Sequence, residues 1–368
     1  MIKNVKYFLV AGICGLFIGC AEQPAGKSEE ATATAAGDSL IFPEEKHFAN
    51  MRQLTFGGDN AEAYYSYDGK YLVFQKTNPE KGIMCDQIYV AKIPETPEEK
   101  FEPKLVSTGK GRTTCAFFTK DNKHIIYSST HLASPDCPPV PSKEQRYIWP
   151  IYDSYDIFMA DLDGNIVKQL TDSPGYDAEP TLSPDGSKMV FTSTRDGDLD
   201  LYIMDLNTGE TKRITTELGY DGGAWFSPDG TKLIWRANRP KTEEEIKDYK
   251  DLLAQGLVAP NNMELFIADA DGSNQRQITN LGQANWAPNF MPDGKGIIFA
   301  SNHEYERGFP FNMYYVDLDG NNLRQISRDN GFDAFPMFRP DGKQIVFSSN
   351  RNNGGTRSTN IFIADWVE

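Results

Sequence analysis

Cysteine and histidine are scarce in this chain of 368 residues, five of one and four of the other. Donors for a soft-metal or thiol–imidazole centre are correspondingly few. Basic runs are missing too. Thirty-seven Lys and Arg stand against 52 Asp and Glu, a net charge of −15. That balance disfavours a polyanion such as nucleic acid, or an anionic lipid surface, as the natural partner. No Gly-x-Ser-x-Gly nucleophile elbow occurs. One apolar run, Tyr7–Ile18, follows Lys3 and Lys6, and it is too short for a comfortable membrane span. What the chain has in quantity is Gly (31), Pro (22) and aromatics (12%). That composition suits many short strands joined by tight turns.

The N-terminus reads as a leader ending at Ile18-Gly19-Cys20. The Gly-Cys ending resembles the lipobox of bacterial lipoproteins. The resemblance implies a signal peptide over 1–19, a lipidated Cys20 and, with Ala21 rather than Asp after it, an outer-membrane destination facing the periplasm. Loss of the two leader lysines takes the charge to −17. Residues 20–45 are rich in Ala, Thr, Glu, Gly and Ser and read as a disordered tether spanning roughly 25–30 Å. Gly37-Asp38-Ser39-Leu40 spells a lipase-like signature. No strand precedes it and no partner Asp/His is apparent, so it reads as chance.

From Met51 a repeat runs to the end. Its ruler is a turn: Ser183-Pro184-Asp185-Gly186, Ser227-Pro228-Asp229-Gly230, Pro292-Asp293-Gly294 and Pro340-Asp341-Gly342, with weaker copies at Asp68-Gly69 and Asp121-Asn122. Pro presets φ and Gly takes the left-handed position that closes a hairpin. Six residues after each turn Asp stands Phe74, Tyr127, Phe191, Trp235, Phe299 or Phe347; three before it stands Tyr65, Phe118, Leu182, Phe226, Phe290 or Phe338. These columns are core. A further strand and a short outer strand complete each copy. Four strands in each of six copies predict an all-β six-bladed propeller over 46–368. The sixth copy lacks its outer strand. Gln53-Leu54-Thr55 supplies it from the N-terminus and closes the ring.

Label the strands A to D outward from the centre. The B–C loops lie on the face opposite the Asp-Gly turns. Two are long: His131–Tyr155 in blade two, and Pro240–Asn262 in blade four, where Thr242 and Glu245 can cap a helix ended by Gly256. Cys85, Cys115 and Cys137 fall on this face, and one disulfide among the three is expected. Arg112, Trp149, Tyr152, Glu179, Trp225 and Trp286 mark the mouth as a candidate binding surface, beside Glu62.

Two charged columns vary together. Where the residue ten after the turn Asp is Arg195, Arg239 or Arg351, the residue eight before it is Asp177, Asp221 or Asp333. Matched swaps predict cross-strand ion pairs. His131 and His303 replace the arginine in blades two and five and join the candidate site residues. Those blades face each other across the ring, too far apart for joint metal ligation. Asp196, Asp198 and Asp200 lack the later Glu of a calcium loop. No metal or cofactor is expected.

The Ser-Pro-Asp-Gly turns, the Arg ending strand B and strands such as Gln169-Leu170-Thr171 resemble the periplasmic TolB-type propeller family over about 51–368. The resemblance implies the fold and, weakly, a role in protein binding; the α/β domain that precedes the TolB propeller has no counterpart in this sequence. The expectation is a monomeric, lipid-anchored, non-catalytic module for an envelope protein or peptide. The alternative is a hydrolase or lyase acting on peptide or carbohydrate at the mouth through His131 or His303.

Overall fold

The computed structural model describes residues 38–96, 98–141, 146–306 and 308–368. The leader, Cys14, Cys20, Gly37 and the tether before Asp38 lie outside the described residues. Six four-stranded antiparallel sheets follow one another along the chain, with one extra two-stranded ribbon. The inner strands are Asp59–Tyr65, Thr113–Phe118, Asp177–Leu182, Asp221–Phe226, Asn285–Phe290 and Asp333–Phe338. The fold is a six-bladed propeller.

The turn chemistry is local and repeated. In blade three Gly186 sits at φ 77° and its N–H donates to Ser183 O at 2.8 Å. Asp185 accepts from the Ser183 hydroxyl (2.5 Å) and from Ser187 N–H (3.0 Å). These bonds, the Ser183 hydroxyl foremost, hold the Asp185 carboxyl down to about 2. The aromatic column Phe74, Tyr127, Phe191, Trp235, Phe299 and Phe347 is wholly buried, and its partner column nearly so. These side chains fill the spaces between adjacent sheets.

In the sixth sheet Phe48–Gln53 lies outermost, paired antiparallel to Asn360–Trp366 with Phe48 opposite Trp366. The strand sits earlier than Gln53–Thr55, although Leu54 N–H still bonds Ile361 O at 2.8 Å. The packed region also begins earlier than residue 46. Asp38–Leu40 forms a 3-10 turn, and Leu40 is buried with Phe48 and Phe347. Glu45 is buried beside Arg351, whose guanidinium donates to it and to Asp333. Asp38-Ser39-Leu40 is thus a structural turn.

All six inner strands carry a bulge at the same place. The register shifts between Ala61 and Tyr64, Thr114 and Phe117, Ala178 and Thr181, Gly222 and Trp225, Trp286 and Asn289, and Ala334 and Met337. The first bulge residue is left-handed in every blade: Glu62, Cys115, Glu179, Gly223, Ala287 and Phe335, with φ between 47° and 61°. Left-handed backbone is costly for side chains other than Gly. Five of the six positions tolerate it, because the bulge turns these residues toward the propeller axis.

Candidate functional site

The axial ring is chemically split. Blades one to three contribute Glu62, Cys115 and Glu179; blades four to six contribute Gly223, Ala287 and Phe335. Glu179 accepts from Thr192 (2.9 Å), Tyr220 (2.9 Å) and Gly223 N–H (2.9 Å), and pairs with Arg236 from strand B of blade four. Both partners are nearly sealed from solvent. Glycines at 222 and 223 make this possible. A Cβ at Gly222 would collide with the Glu179 carboxylate, and one at Gly223 with the Arg236 guanidinium. Deeper in the channel, Trp225 packs edge-on against Tyr64 (4.8 Å) and Phe117 (5.1 Å), an aromatic plug spanning blades one, two and four.

Glu62 accepts from Gln75 at 3.1 Å. Burial raises its pKa to about 7, against a hydrogen bond from Cys115; the Glu179 charge adds to the rise and Arg236 opposes it. Burial likewise pushes the Cys115 thiol well up, so this free cysteine is no ready thiolate. Between about pH 4.5 and 7 the folded chain keeps a proton on Glu62 that the unfolded chain has released. Stability contributed by this group therefore falls as pH rises through that window. Glu62→Gln should remove that slope and stabilise the chain by about 1–3 kcal/mol at pH 8 relative to its effect at pH 4.5. Urea unfolding of both proteins across pH 4.5–8 checks this; parallel curves would sink it.

Above the ring the two insertions meet. Trp149–Pro150 and Leu257–Val258 form the two-stranded ribbon, with Val258 opposite Trp149. Arg146 binds Asp248 of the helix Glu243–Leu253 through two bonds of 2.7 and 2.6 Å. That helix starts at the Thr242/Glu245 capping box and buries Tyr249, whose hydroxyl donates to Asp198 in blade three. Blade three has the shortest B–C loop, so both insertions arch over it. They leave a groove of about 1060 Å³ floored by Tyr176, Thr194 and Asp196–Asp198.

A disulfide joins Cys85 to Cys137 and ties the blade-two insertion to blade one. Its loop spans 52 residues. Cys137→Ser should cost about 4 kcal/mol by loop-closure entropy, read from urea unfolding under oxidising conditions. A loss below about 1 kcal/mol would mean that the insertion is held without it.

The structure divides the mouth residues read from sequence. Trp149 lies against Trp286 (5.2 Å), and the Arg236 guanidinium sits 5.4 Å over the Trp149 ring, so Trp149, Trp286 and Glu179 share one neighbourhood. Arg112 binds Asp86 at 2.5 Å on the blade-two side; Tyr152 bonds Pro139 O at 2.8 Å and lines the groove. Trp225 belongs to the plug. His131 and His303 do not join the mouth cluster. Each bonds the serine two residues before it, Ser129 or Ser301, at 2.9 Å, and lies on a strand C ring, Phe158 at 4.5 Å or Tyr314 at 4.6 Å. Arg195 and Arg239 cover the strand C rings of Tyr202 and Phe266 in the same manner, whereas Arg351 lies over Phe347 of strand B and over Phe42. The three arginines reach Asp177, Asp221 and Asp333 at 3.0, 2.6 and 2.7 Å. Sequence reasoning missed Arg236, Tyr220 and the axial role of Cys115. The bulge column could have found them: Gly223 is the one glycine in it, and Arg236 the one charged residue of its strand B neighbours.

The model of the TolB beta propeller domain matches residues 151–252 and 258–363. The chain belongs to this family. Two solved structures share its fold. Putative TolB from Agrobacterium tumefaciens is 18% identical, with TM-score 0.53 over 84% of this chain and 91% of that one. TolB from Acinetobacter baumannii is 20% identical, with TM-score 0.55 over 82% of this chain and 64% of that one, so the propeller spans about two thirds of that relative. No curated protein matches the chain. Among the described residues no helix is long and apolar enough to cross a membrane.

Proposed function

We propose that this TolB-family propeller is a non-catalytic binding module of the bacterial cell envelope, engaging a protein or peptide through its loop-bearing face. The observation that carries this reading is the joining of two insertions, about a hundred residues apart in sequence, into one arch over blade three. Loops on a rigid scaffold collect on one face when that face is used. The leader and Cys20 support anchoring of a monomer by lipid, with membrane contact through the anchor alone and no cofactor. The catalytic alternative draws no support from His131 and His303, since both cover strand C rings as Arg195 and Arg239 do.

The test is recovery of crosslinked partners from envelope extracts by the full chain and by an Arg146→Ala/Trp149→Ala variant, which opens the arch. A partner lost from the variant supports the reading. Identical recoveries, or none from either protein, overturn it. Replacing Cys20 with serine should abolish incorporation of labelled fatty acid and release the chain from membranes; a membrane-bound serine variant would defeat the anchoring part.

A further inference from the structure

The groove over blade three offers acceptors and rings but few donors. Pro139, Pro141 and Pro150 line it and have no N–H to give. Two of its three tyrosines spend their hydroxyl protons within the protein, Tyr152 on Pro139 O and Tyr249 on Asp198. What remains toward the groove is aromatic and aliphatic surface from Tyr152, Tyr176, Tyr249 and Leu253, the free carboxylate of Asp153, that of Asp196 beyond its bond from the Tyr202 hydroxyl and its 3.8 Å pair with Arg213, and, among the described residues, one cation, Lys250. Asp153 stands exposed at the rim. The volume of about 1060 Å³ is at the upper limit for small-molecule pockets and suits a stretch of several residues. The chain's net charge of −15 extends the same sign of field beyond the groove.

We propose that this groove seats a basic, extended segment of a partner protein, whose Lys or Arg side chains meet Asp153 and Asp196 and whose apolar side chains lie on Tyr152, Tyr176 and Leu253. A donor-rich cation on an aromatic, acceptor-rich surface satisfies both halves of the lining: carboxylates bind its N–H groups and ring faces attract its charge. This inference rests on the binding-module reading and names the chemistry of its ligand.

The probe is a fluorescein-labelled Arg-Leu-Arg-Pro-Leu-Arg peptide, with Glu-Leu-Glu-Pro-Leu-Glu as its counterpart, titrated with the full chain at physiological salt. The basic peptide should bind and the acidic one should not. Asp153→Lys, at an exposed position, should weaken binding at least about tenfold. Tyr152→Ala should weaken it through the wall, independently of charge. Equal binding of both peptides, or affinities unchanged in both variants, overturns the proposal. So does failure of the basic peptide while Arg146→Ala/Trp149→Ala still loses its envelope partner, an outcome that leaves the binding-module reading standing.

Discussion

Replacing Arg351 with alanine should destabilise the propeller by about 3–5 kcal/mol. Its guanidinium binds Asp333 at 2.7 Å and Glu45 at 2.9 Å, donates to Leu40 O at 2.8 Å, and is buried with both acids. Removal strands two carboxylates away from water, and their desolvation is then uncompensated. The effect should reach past blade six, because Glu45 and Leu40 lead directly into Phe48–Gln53, the outer strand of that blade. Urea unfolding should show an earlier midpoint with an unchanged slope, and backbone amides of Phe48–Gln53 should exchange faster. A loss below about 1 kcal/mol would mean that the triad contributes little net stability. Met at 351 leaves the same two acids stranded, so it should be no milder.

The repeat made most of this fold readable. The turn Asp at six places fixed the frame, and every core column counted from it is buried. The ion pairs were legible because Asp and Arg vary together: a cross-strand pair needs both partners, and neither charge survives alone in blades one, two or five. Glu45 was not legible. It sits in a polar stretch whose composition reads as tether, and its burial depends on an arginine 306 residues away. Composition averages over such a residue; a single buried contact does not register in it.

The mouth was legible in location and less so in membership. Insertion length placed both long loops on one face, but nothing in either loop announces that they pair with each other. The ribbon is four residues long and tertiary in origin. His131 and His303 looked singular because histidine carries chemistry more often than arginine does. Structurally they do the arginine's packing: a flat, polar-edged ring replaces a flat guanidinium over Phe158 and Tyr314. Tyr249 shows the opposite case. The helix that carries it was readable from its cap, while its bond to Asp198 depends on blade three having a short loop.

Gly223→Ala should cost about 3 kcal/mol or more. Two terms contribute. Left-handed backbone at φ 61° costs an alanine about 1–2 kcal/mol. The added Cβ would also occupy the space of the Arg236 guanidinium, so the arginine must leave Glu179 and Tyr220. Displacing one member of a buried pair exposes the other to the same desolvation loss as deleting it. The terms separate in a double-mutant cycle. With Arg236→Ala already present, Gly223→Ala should cost only the backbone term, about 1–2 kcal/mol, because the methyl then enters vacated space. Glu62 offers the comparison within the chain: it occupies the same bulge position at φ 53° with a full side chain, and its strand B neighbour is Gln75, not Arg. If the alanine costs as much without Arg236 as with it, backbone strain alone explains the glycine, and the pairing of Gly223 with Arg236 across the hairpin is coincidence.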